Sequence, residues 1–511
     1  MAAKTQPATA PPQPKPRQQV ATLPRIPSWV VVLSLGVGLL SKEIDLVTLR
    51  IPFYDRFVQV DPVPEPTGCV RLKGPVGAED AVVLPGDPPI LITGELDAGT
   101  HEFTSLDQQG TSASTSPRGT LWALDRLSDA TPRLTPLEVP LPDGVTTMHT
   151  HGLGLHGDIL FAINHAFRRG GERIERWRVT RRPAAEDGPP VTLEHLSSVT
   201  GHQGDESGRG AWTFTSRLNA AINDIAPVGP HEWYMTQFLD APASLEGAGS
   251  GSLTGFTPEE DEPVAAAFRG WASRLGVDIH AKTMLPRLRR SRVWHCYCAA
   301  AESGGIDADA CARTVCEAVR PVSTCWNGIA YRADPEAARR PPSAEALHGT
   351  LYVNDIFRRI VVEFGVRGYG EGVQLEQNRT FRAPYMVDNV HVDATSGASL
   401  WVGAVGASHQ NFWGGLTALQ ANATAAHTAA KAAGKPTPRP HVHLRPSADA
   451  PPQPAMTSGA LHIDLASGSV TTRLWQSRQL ASISWSHGIG ERIVMGSPWD
   501  DGVLVCPAAA L

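Results

Sequence analysis

The sequence has little charge and no concentrated basic surface. Only 19% of its 511 residues are Asp, Glu, Lys or Arg, and the formal net charge is −6 at pH 7. Proteins that bind nucleic-acid phosphates need clustered Lys and Arg, and no such cluster lies beyond residue 27. We therefore expect no nucleic-acid partner. By contrast, the 48 glycines and 43 prolines make up about 18% of the chain, against a usual ~12%, which disfavours helical bundles and coiled coils.

The first 42 residues lack Asp and Glu altogether. Residues 1–27 are basic and rich in Pro, Ala and Gln, which predicts a disordered tail. The uncharged run Ser28–Leu40 has 13 residues and would span ~20 Å as a helix, short of the ~30 Å hydrocarbon core. Its length and basic flank favour a secretory signal or an uncleaved membrane anchor over residues 28–41. A buried strand and an organellar transit peptide are the alternatives.

Short apolar segments separated by turn residues dominate residues 60–511. They predict an all-β fold: a sandwich, a barrel or a propeller. Alternating apolar residues on both sides of Ala466-Ser467-Gly468 predict a hairpin over Ala460–Leu474. The other predicted strands include Ala81–Leu84, Thr350–Val353, Ile360–Phe364 and Leu400–Val402.

Two stretches interrupt this strand pattern, a Cys-rich insertion over 240–320 and an Ala/Pro-rich insertion over 410–455. Helices are predicted at Pro263–Leu275 and Asp307–Val319 in the first and at Leu416–Ala433 in the second. Without the insertions, a little over 300 residues remain between Cys69 and Cys506. At ~50 residues a blade, this is enough for about six propeller blades.

One local pattern recurs through the strand-rich region: oxygen-bearing residues beside apolar ones. Its members are Glu79-Asp80, His151-Gly152-Leu153, Asn223-Asp224, Asn327-Gly328 and Asp388-Asn389. In a propeller the innermost strands line one channel, so these residues would converge. Gathered carboxylate and amide oxygens suit calcium better than zinc. Each pair taken alone is also an ordinary turn sequence.

Several ordered segments resemble the paraoxonase/arylesterase family of calcium-dependent lactonases, which are six-bladed propellers. The resemblance runs from Gly68 to Cys506 and leaves out both insertions. Its segments are Gly68-Cys69, Lys73-Gly74, Gly77-Ala78-Glu79-Asp80, His151-Gly152, Ile163-Asn164-His165, Leu218–Pro230, Trp326–Ile329, Val387-Asp388-Asn389 and Leu400–Gly403.

The resemblance implies two calcium ions and one disulfide. The catalytic calcium would be held by Glu79, Asn223, Asn327, Asp388 and Asn389. The structural calcium would use Asp80, Asp224 and the backbone carbonyl of Leu153. A Cys69–Cys506 disulfide would join the two ends of the propeller, and closing so long a loop would stabilise it in the chain-entropy model.

The resemblance also implies a hydrolytic site for lactones or related aryl esters. His151 near the metal, with His165 behind it, would take a proton from the attacking water. Asp388 could instead act as base or nucleophile, and His165 could simply be a buried structural histidine. We expect a small hydrophobic ester substrate, because an apolar N-terminal segment would hold the channel mouth near a membrane.

Several positions depart from the family pattern near the expected substrate pocket. His149-Thr150 replaces Asn-Pro, Gln237-Phe238-Leu239 replaces Asn-Asp-His, Ala330 replaces Asn, and Ala404-Val405 replaces Cys-His. Aryl or organophosphate preferences are therefore not transferred. The alternative function is that of the paraoxonase relatives that serve as non-enzymatic, membrane-anchored assembly factors.

The remaining signals concern cysteines, histidines and glycosylation. The seven cysteines include Cys296, Cys298, Cys311 and Cys316, for which two disulfides are a simpler interpretation than a zinc site. Cys325 would then be the unpaired thiol. The His149, His151 and His156 spacing suggests zinc only weakly, since no further ligand accompanies it. Asn378 and Asn422 begin glycosylation acceptor triplets.

Overall fold

The protein is described by a computed structural model that covers residues from Val63 onward, with gaps. The described residues are 63, 67–96, 119–129, 131–142, 145, 148–164, 173–183, 188–199, 201–202, 212–213, 222–237, 291–298, 314–323, 325–335, 347–356, 358–368, 372–406, 432–433, 458–475, 480, 482–498 and 500–508. The predicted tail and the 28–41 segment lie outside these ranges. Within them, no helix has the length and apolar character needed to span a membrane.

The described strands form six four-stranded antiparallel sheets, the blades, and one short extra ladder. Strand β1 (Val70–Val76) belongs to the last blade. Blade 1 consists of β2 (Ala81–Leu84), β3 (Ile90–Gly94), β4 (Leu121–Asp125) and β5 (Arg133–Pro136). Blade 2 consists of β6 (Thr150–His156), β7 (Ile159–Asn164), β8 (Arg173–Arg181) and β9 (Val191–Val199). The short ladder pairs β10 (Gly201–His202) with β11 (Trp212–Thr213).

The remaining four blades follow in the same order along the chain. Blade 3 consists of β12 (Ile222–Gly229), β13 (Glu232–Gln237), β14 (Ser291–Cys298) and β15 (Thr314–Ser323). Blade 4 consists of β16 (Trp326–Ala333), β17 (Leu347–Asp355), β18 (Ile360–Arg367) and β19 (Gln374–Arg382). Blade 5 consists of β20 (Met386–Val392), β21 (Ser399–Gly406), β22 (Gly459–Asp464) and β23 (Val470–Trp475). Blade 6 consists of β24 (Trp485–Ile489), β25 (Arg492–Gly496), β26 (Asp501–Pro507) and β1. The all-β, six-bladed propeller prediction is confirmed.

Hydrophobic packing between neighbouring blades holds the ring together. The described core divides into six clusters, and each combines side chains from two adjacent blades. One example is Trp177 of blade 2, fully buried in the cluster that also contains Ile92 of blade 1. The cluster between the first and last blades contains Leu91 of blade 1 and Trp485 of blade 6. The ring is therefore closed by apolar burial as well as by strand pairing.

Strand β1 completes the last blade by pairing with β26, so the two ends of the propeller meet in one sheet. The Cys69–Cys506 disulfide lies at this junction and spans 437 positions. A second disulfide joins Cys296 to Cys316 across β14 and β15. Cys298 is disulfide-bonded as well, and Cys325 is a buried free thiol, as predicted. Disulfides of this kind are typical of oxidising compartments such as the secretory pathway.

The first predicted insertion is wrong in part. Residues 240–320 include β14 and most of β15, which are the third and fourth strands of blade 3. The helix predicted over Asp307–Val319 is wrong from residue 314 onward, because Thr314, Val315 and Cys316 pair with β14 as strand residues. Pro263–Leu275 lies outside the described residues, as does the second insertion apart from residues 432–433. The Ala460–Leu474 hairpin is confirmed by the antiparallel pairing of β22 and β23.

Of the two predicted glycosylation acceptors, only Asn378 is among the described residues. Asn378 is exposed on β19, the outermost strand of blade 4, and remains a predicted acceptor. Asn422 lies outside the described residues.

Candidate metal and active site

The recurring pattern of oxygen-bearing residues coincides with a recurring break in strand pairing. In blades 2 to 5 the ladder between the first and second strands skips two residues of the first strand. The skipped pairs are His151-Gly152, Asn223-Asp224, Asn327-Gly328 and Asp388-Asn389. Each pair faces one residue of the second strand, which is the arrangement of a β-bulge. Such bulges redirect side chains, and here they lie near the start of the strands next to the central channel.

The five side chains implied as ligands of the catalytic calcium share one property. Each is at most 7% exposed and carries a buried oxygen atom that has no hydrogen-bond partner. These atoms are Glu79 Oε2, Asn223 Oδ1, Asn327 Oδ1, Asp388 Oδ1 and Asn389 Oδ1. Leaving so many buried acceptors unpaired is costly. A hard cation, which accepts six to eight oxygen ligands, would satisfy all of them.

The charges of the described carboxylates support the same interpretation. Burial and the nearby Asp388, Asp80 and Asp224 raise the pKa of Glu79 well above its ordinary value. Burial, followed by the charge of Asp80, raises the pKa of Asp388 to about 8. Carboxylates crowded in a low-dielectric channel repel one another, and a cation placed among them would favour their charged forms. The donor set therefore fits calcium.

Asparagine is essential to this ligand set. Among the described residues, no three His, Cys, Asp or Glu side chains are grouped in the way that a metal site requires. A cation at this position would depend on amide oxygens as well as on Glu79 and Asp388. Oxygen-only ligation of this kind is typical of calcium rather than zinc.

The structure fixes the orientation of the His151 ring. Its Nδ1 lies 2.6 Å from the backbone oxygen of Asn223, and because a carbonyl oxygen only accepts, Nδ1 must be the donor. Nε2 of the neutral ring is then free of the proton and can accept one. Burial lowers the pKa of His151 to about 4, so the ring is neutral at pH 7. Nδ1 also lies 3.9 Å from Glu79 Oε2, which places His151 beside the ligand set.

The carboxylates implied for the structural calcium differ from the five ligands implied for the catalytic calcium, because their oxygens already accept hydrogen bonds. Asp80 accepts from the backbone N–H groups of Ala81 and Leu153, at 2.7 and 2.6 Å. Asp224 accepts from those of Ile225 and Ile329, both at 2.7 Å. The bond from Leu153 connects blade 1 to blade 2, and the bond from Ile329 connects blade 3 to blade 4. Leu153 thus contacts Asp80 through its N–H, and a metal-binding role for its carbonyl stays a prediction.

Two buried histidines lie next to Asp80, one of the residues implied for the structural calcium. His391 Nε2 lies 3.2 Å from Asp80 Oδ1. The ring of His391 packs at 4.0 Å, centroid to centroid, against that of His487. His487 in turn contacts the backbone oxygen of Ala81 through Nε2 at 2.9 Å. A cation bound beside Asp80 would have nitrogen as well as oxygen neighbours.

Some predicted site residues are placed elsewhere or are not described. His165, the second member of the proposed dyad, lies outside the described residues. His156 is half-buried at the far end of β6 from His151, since β6 runs from Thr150 to His156. Gln237, one of the departures from the family pattern, is buried, and its Oε1 accepts from Trp294 Nε1 at 2.7 Å.

Sequence reasoning missed the residues that support the bulges. Thr236, opposite one bulge, accepts from the Asp224 N–H at 3.2 Å and donates to the Asn327 carbonyl oxygen. Asn354, opposite the next, accepts from the Gly328 N–H at 3.0 Å. A polar residue within an otherwise apolar second strand was the available signal, as in Trp233–Thr236 and Leu351–Asn354.

Gly328 allows blades 4 and 5 to approach closely at the ligand level. A Cβ atom at this position would lie 2.5 Å from Asn389 Cα and 2.7 Å from the Asp388 backbone oxygen. We expect Gly328→Ala to destabilise the protein by about 1–3 kcal/mol, because backbone cannot move as a side-chain end can. Urea unfolding measures this. Gly229→Ala in β12 is the control, since its Cβ would meet nothing closer than 3.8 Å; equal stability of the two variants would refute the prediction.

Comparison with known proteins assigns no family to this chain. No protein-family model matches the chain, and no curated protein sequence matches it. Among solved structures, a candidate 6-phosphogluconolactonase from Bacteroides fragilis is 10% identical, with 82% of this chain and 76% of that chain covered and a TM-score of 0.29. A second, from Bacteroides uniformis, is 12% identical, with 76% and 87% covered and a TM-score of 0.29.

A third solved structure, the Cps50 (Swd1) β-propeller domain of Myceliophteria thermophila, is similar to a comparable degree. It is 11% identical, with 86% of this chain and 98% of that chain covered and a TM-score of 0.33. At such identities and scores, none of these similarities supports a substrate or an activity for this chain.

Proposed function

We propose that this protein is a calcium-dependent hydrolase of the paraoxonase type, which opens lactones or cleaves related esters. The observation that carries the proposal is the group of five buried, unpaired oxygens in Glu79, Asn223, Asn327, Asp388 and Asn389. They come from four different blades, beside His151, whose neutral ring carries its proton on Nδ1. Calcium bound there would polarise the ester carbonyl and stabilise its developing negative charge.

The chain itself would supply the proton transfer. His151 Nε2 takes a proton from the attacking water, while the Asn223 carbonyl holds the other ring nitrogen. The water oxygen bonds to the carbonyl carbon, the ester C–O bond breaks, and the proton passes to the departing alkoxide. Asp388, buried in the same channel, is the alternative base or nucleophile. His165 as a partner of His151 and the second, structural calcium both stay predictions.

The test is lactone hydrolysis by the purified protein with and without a calcium chelator. We expect activity with calcium, loss in chelator, and recovery when calcium is added back. A chelator-sensitive melting temperature without turnover of any lactone or aryl ester would instead favour the alternative, a non-enzymatic assembly factor. The membrane role of the 28–41 segment is tested separately by deleting residues 1–41, which we expect to abolish membrane association.

Replacing His151 should separate catalysis from metal binding. We expect His151→Gln to reduce kcat by about 10²- to 10⁴-fold, the usual contribution of a general base, while calcium affinity stays near that of the unsubstituted protein. The control is His156→Gln, which changes the same residue type at the other end of β6 and should leave kcat unchanged. A kcat for His151→Gln within a factor of about three of the original would assign proton transfer to another group.

A further inference from the structure

Blade 6 contributes no oxygen-bearing pair to the ligand set, yet one of its residues contacts two members of that set. Ser484 directly precedes β24 and is fully buried. Its Oγ donates to the Glu79 backbone oxygen at 2.7 Å. Its own backbone oxygen accepts from the Asn389 N–H at 2.8 Å. Ser484 therefore connects the ligand-bearing segments of blades 1 and 5.

Glu79 and Asn389 also bind each other. Asn389 Nδ2 donates to the Glu79 backbone oxygen at 2.8 Å and to Glu79 Oε1 at 3.0 Å. Because these bonds use the amide nitrogen and one carboxylate oxygen, the atoms left over are Asn389 Oδ1 and Glu79 Oε2. Both are buried without a hydrogen-bond partner. The hydrogen bonds thus select which oxygens remain available for a cation.

The surroundings leave Ser484 little freedom to move. A Cβ atom on Gly403 of β21 would lie 2.0 Å from the Ser484 backbone oxygen, so blade 5 packs directly against it. The next residue, Trp485, is fully buried and donates from Nε1 to the Ala78 backbone oxygen at 2.8 Å. Two consecutive residues of blade 6 therefore hold two consecutive residues of blade 1, Ala78 and Glu79.

We propose that Ser484 is a positioning residue for the cation site: it holds the Glu79 backbone where its carboxylate and the Asn389 amide face the same point. The inference rests on the proposed function for the presence of the ion, and it extends the site to blade 6, which supplies none of the five ligands. Residues that orient metal ligands typically contribute 10- to 100-fold in metal affinity when they are removed.

The experiment compares two serine-to-alanine variants two residues apart. Ser484→Ala removes the hydroxyl that donates to Glu79. Ser486→Ala removes an equally buried hydroxyl that has no hydrogen-bond partner. Calcium affinity is measured by calorimetric titration of chelator-treated protein, and the melting temperature is measured in chelator. We expect about 10- to 100-fold weaker calcium binding for Ser484→Ala and no change for Ser486→Ala.

Each outcome decides the proposal. Unchanged affinity in Ser484→Ala, or an equal loss in Ser486→Ala, overturns it. The titration of the unsubstituted protein tests the proposed function separately. If that protein binds no calcium, the proposed function fails, and this proposal fails with it. Should Ser484→Ala not fold, Trp485→Phe removes the neighbouring donor to Ala78 and is also expected to weaken binding; unchanged affinity there overturns the proposal.

Discussion

Replacing Asp388 with asparagine is expected to lower kcat/KM for lactone hydrolysis by at least about 100-fold and to weaken calcium binding in parallel. Loss of a residue that merely orients a metal ligand costs about 10- to 100-fold, so loss of a charged ligand should cost more. Asp388 is only 7% exposed, and its Oδ1 has no hydrogen-bond partner. The substitution keeps the shape of the side chain and removes its negative charge.

Asp393→Asn provides the matched control for this result. Asp393 follows the same strand, β20, by one residue, but its carboxylate accepts from the exposed Thr395 and Ser396 N–H groups in the turn before β21. We expect that variant to retain both activity and calcium affinity. Steady-state kinetics and calorimetric titration test both variants. Less than a tenfold loss for Asp388→Asn would exclude Asp388 from the ligand set.

The fold could be predicted because its signals are local and repeated. Alternating apolar residues marked strands such as Ala81–Leu84 and the Ala460–Leu474 hairpin. The chain length between Cys69 and Cys506 agreed with six blades, although residues 240–320, left out of that count, contain two strands of blade 3. The recurring oxygen-bearing pairs coincide with the bulges of blades 2 to 5, but the bulges were not predicted, because a bulge has no distinctive composition. Its polar pair resembles a turn until the partner strand is known.

The incorrect or missing predictions lie where local sequence signals disagree with long-range strand pairing. Residues 314–319 are compatible with a helix in isolation, and it is their pairing with β14, together with the Cys296–Cys316 disulfide, that makes them a strand. Ser484 could not be predicted as part of the site for a similar reason. Glu79 lies 405 residues before it, and Asn389 lies in a different blade. A serine before a strand also carries no sequence signal of its own.

Topology explains why blades of such different length share one site. Ile222 pairs with Gln237, and Trp326 pairs with Asp355. In both blades the end of the second strand therefore lies beside the start of the first strand, where the ligand residues lie. In blade 5, Met386 pairs with Gly406 in the same way. Chain inserted after a second strand therefore departs from the ligand side of the propeller without disturbing the blade. Both long interruptions of blades 3 and 5 follow second strands, β13 and β21.

Removing the Cys69–Cys506 disulfide is expected to destabilise the protein by up to about 6 kcal/mol. The bond closes a loop of 437 positions, and in the chain-entropy model the stabilisation grows with the logarithm of loop length. The double variant Cys69→Ala/Cys506→Ala removes both partners, so neither is left as an unpaired thiol. Urea unfolding followed by circular dichroism measures the change, and the pairing of β1 with β26 should still allow the variant to fold.

The second disulfide gives an internal comparison for the same chain. Cys296→Ala/Cys316→Ala opens a separation of only 20 positions, for which the same model gives about 3 kcal/mol. We therefore expect the Cys69/Cys506 variant to be the less stable of the two. Because Cys69 and Cys506 lie where β1 joins blade 6, their loss should also weaken calcium binding, since Glu79 follows β1 by three residues. Equal stability of the two variants would show that the length of the closed loop does not set the stabilisation, and would contradict the prediction.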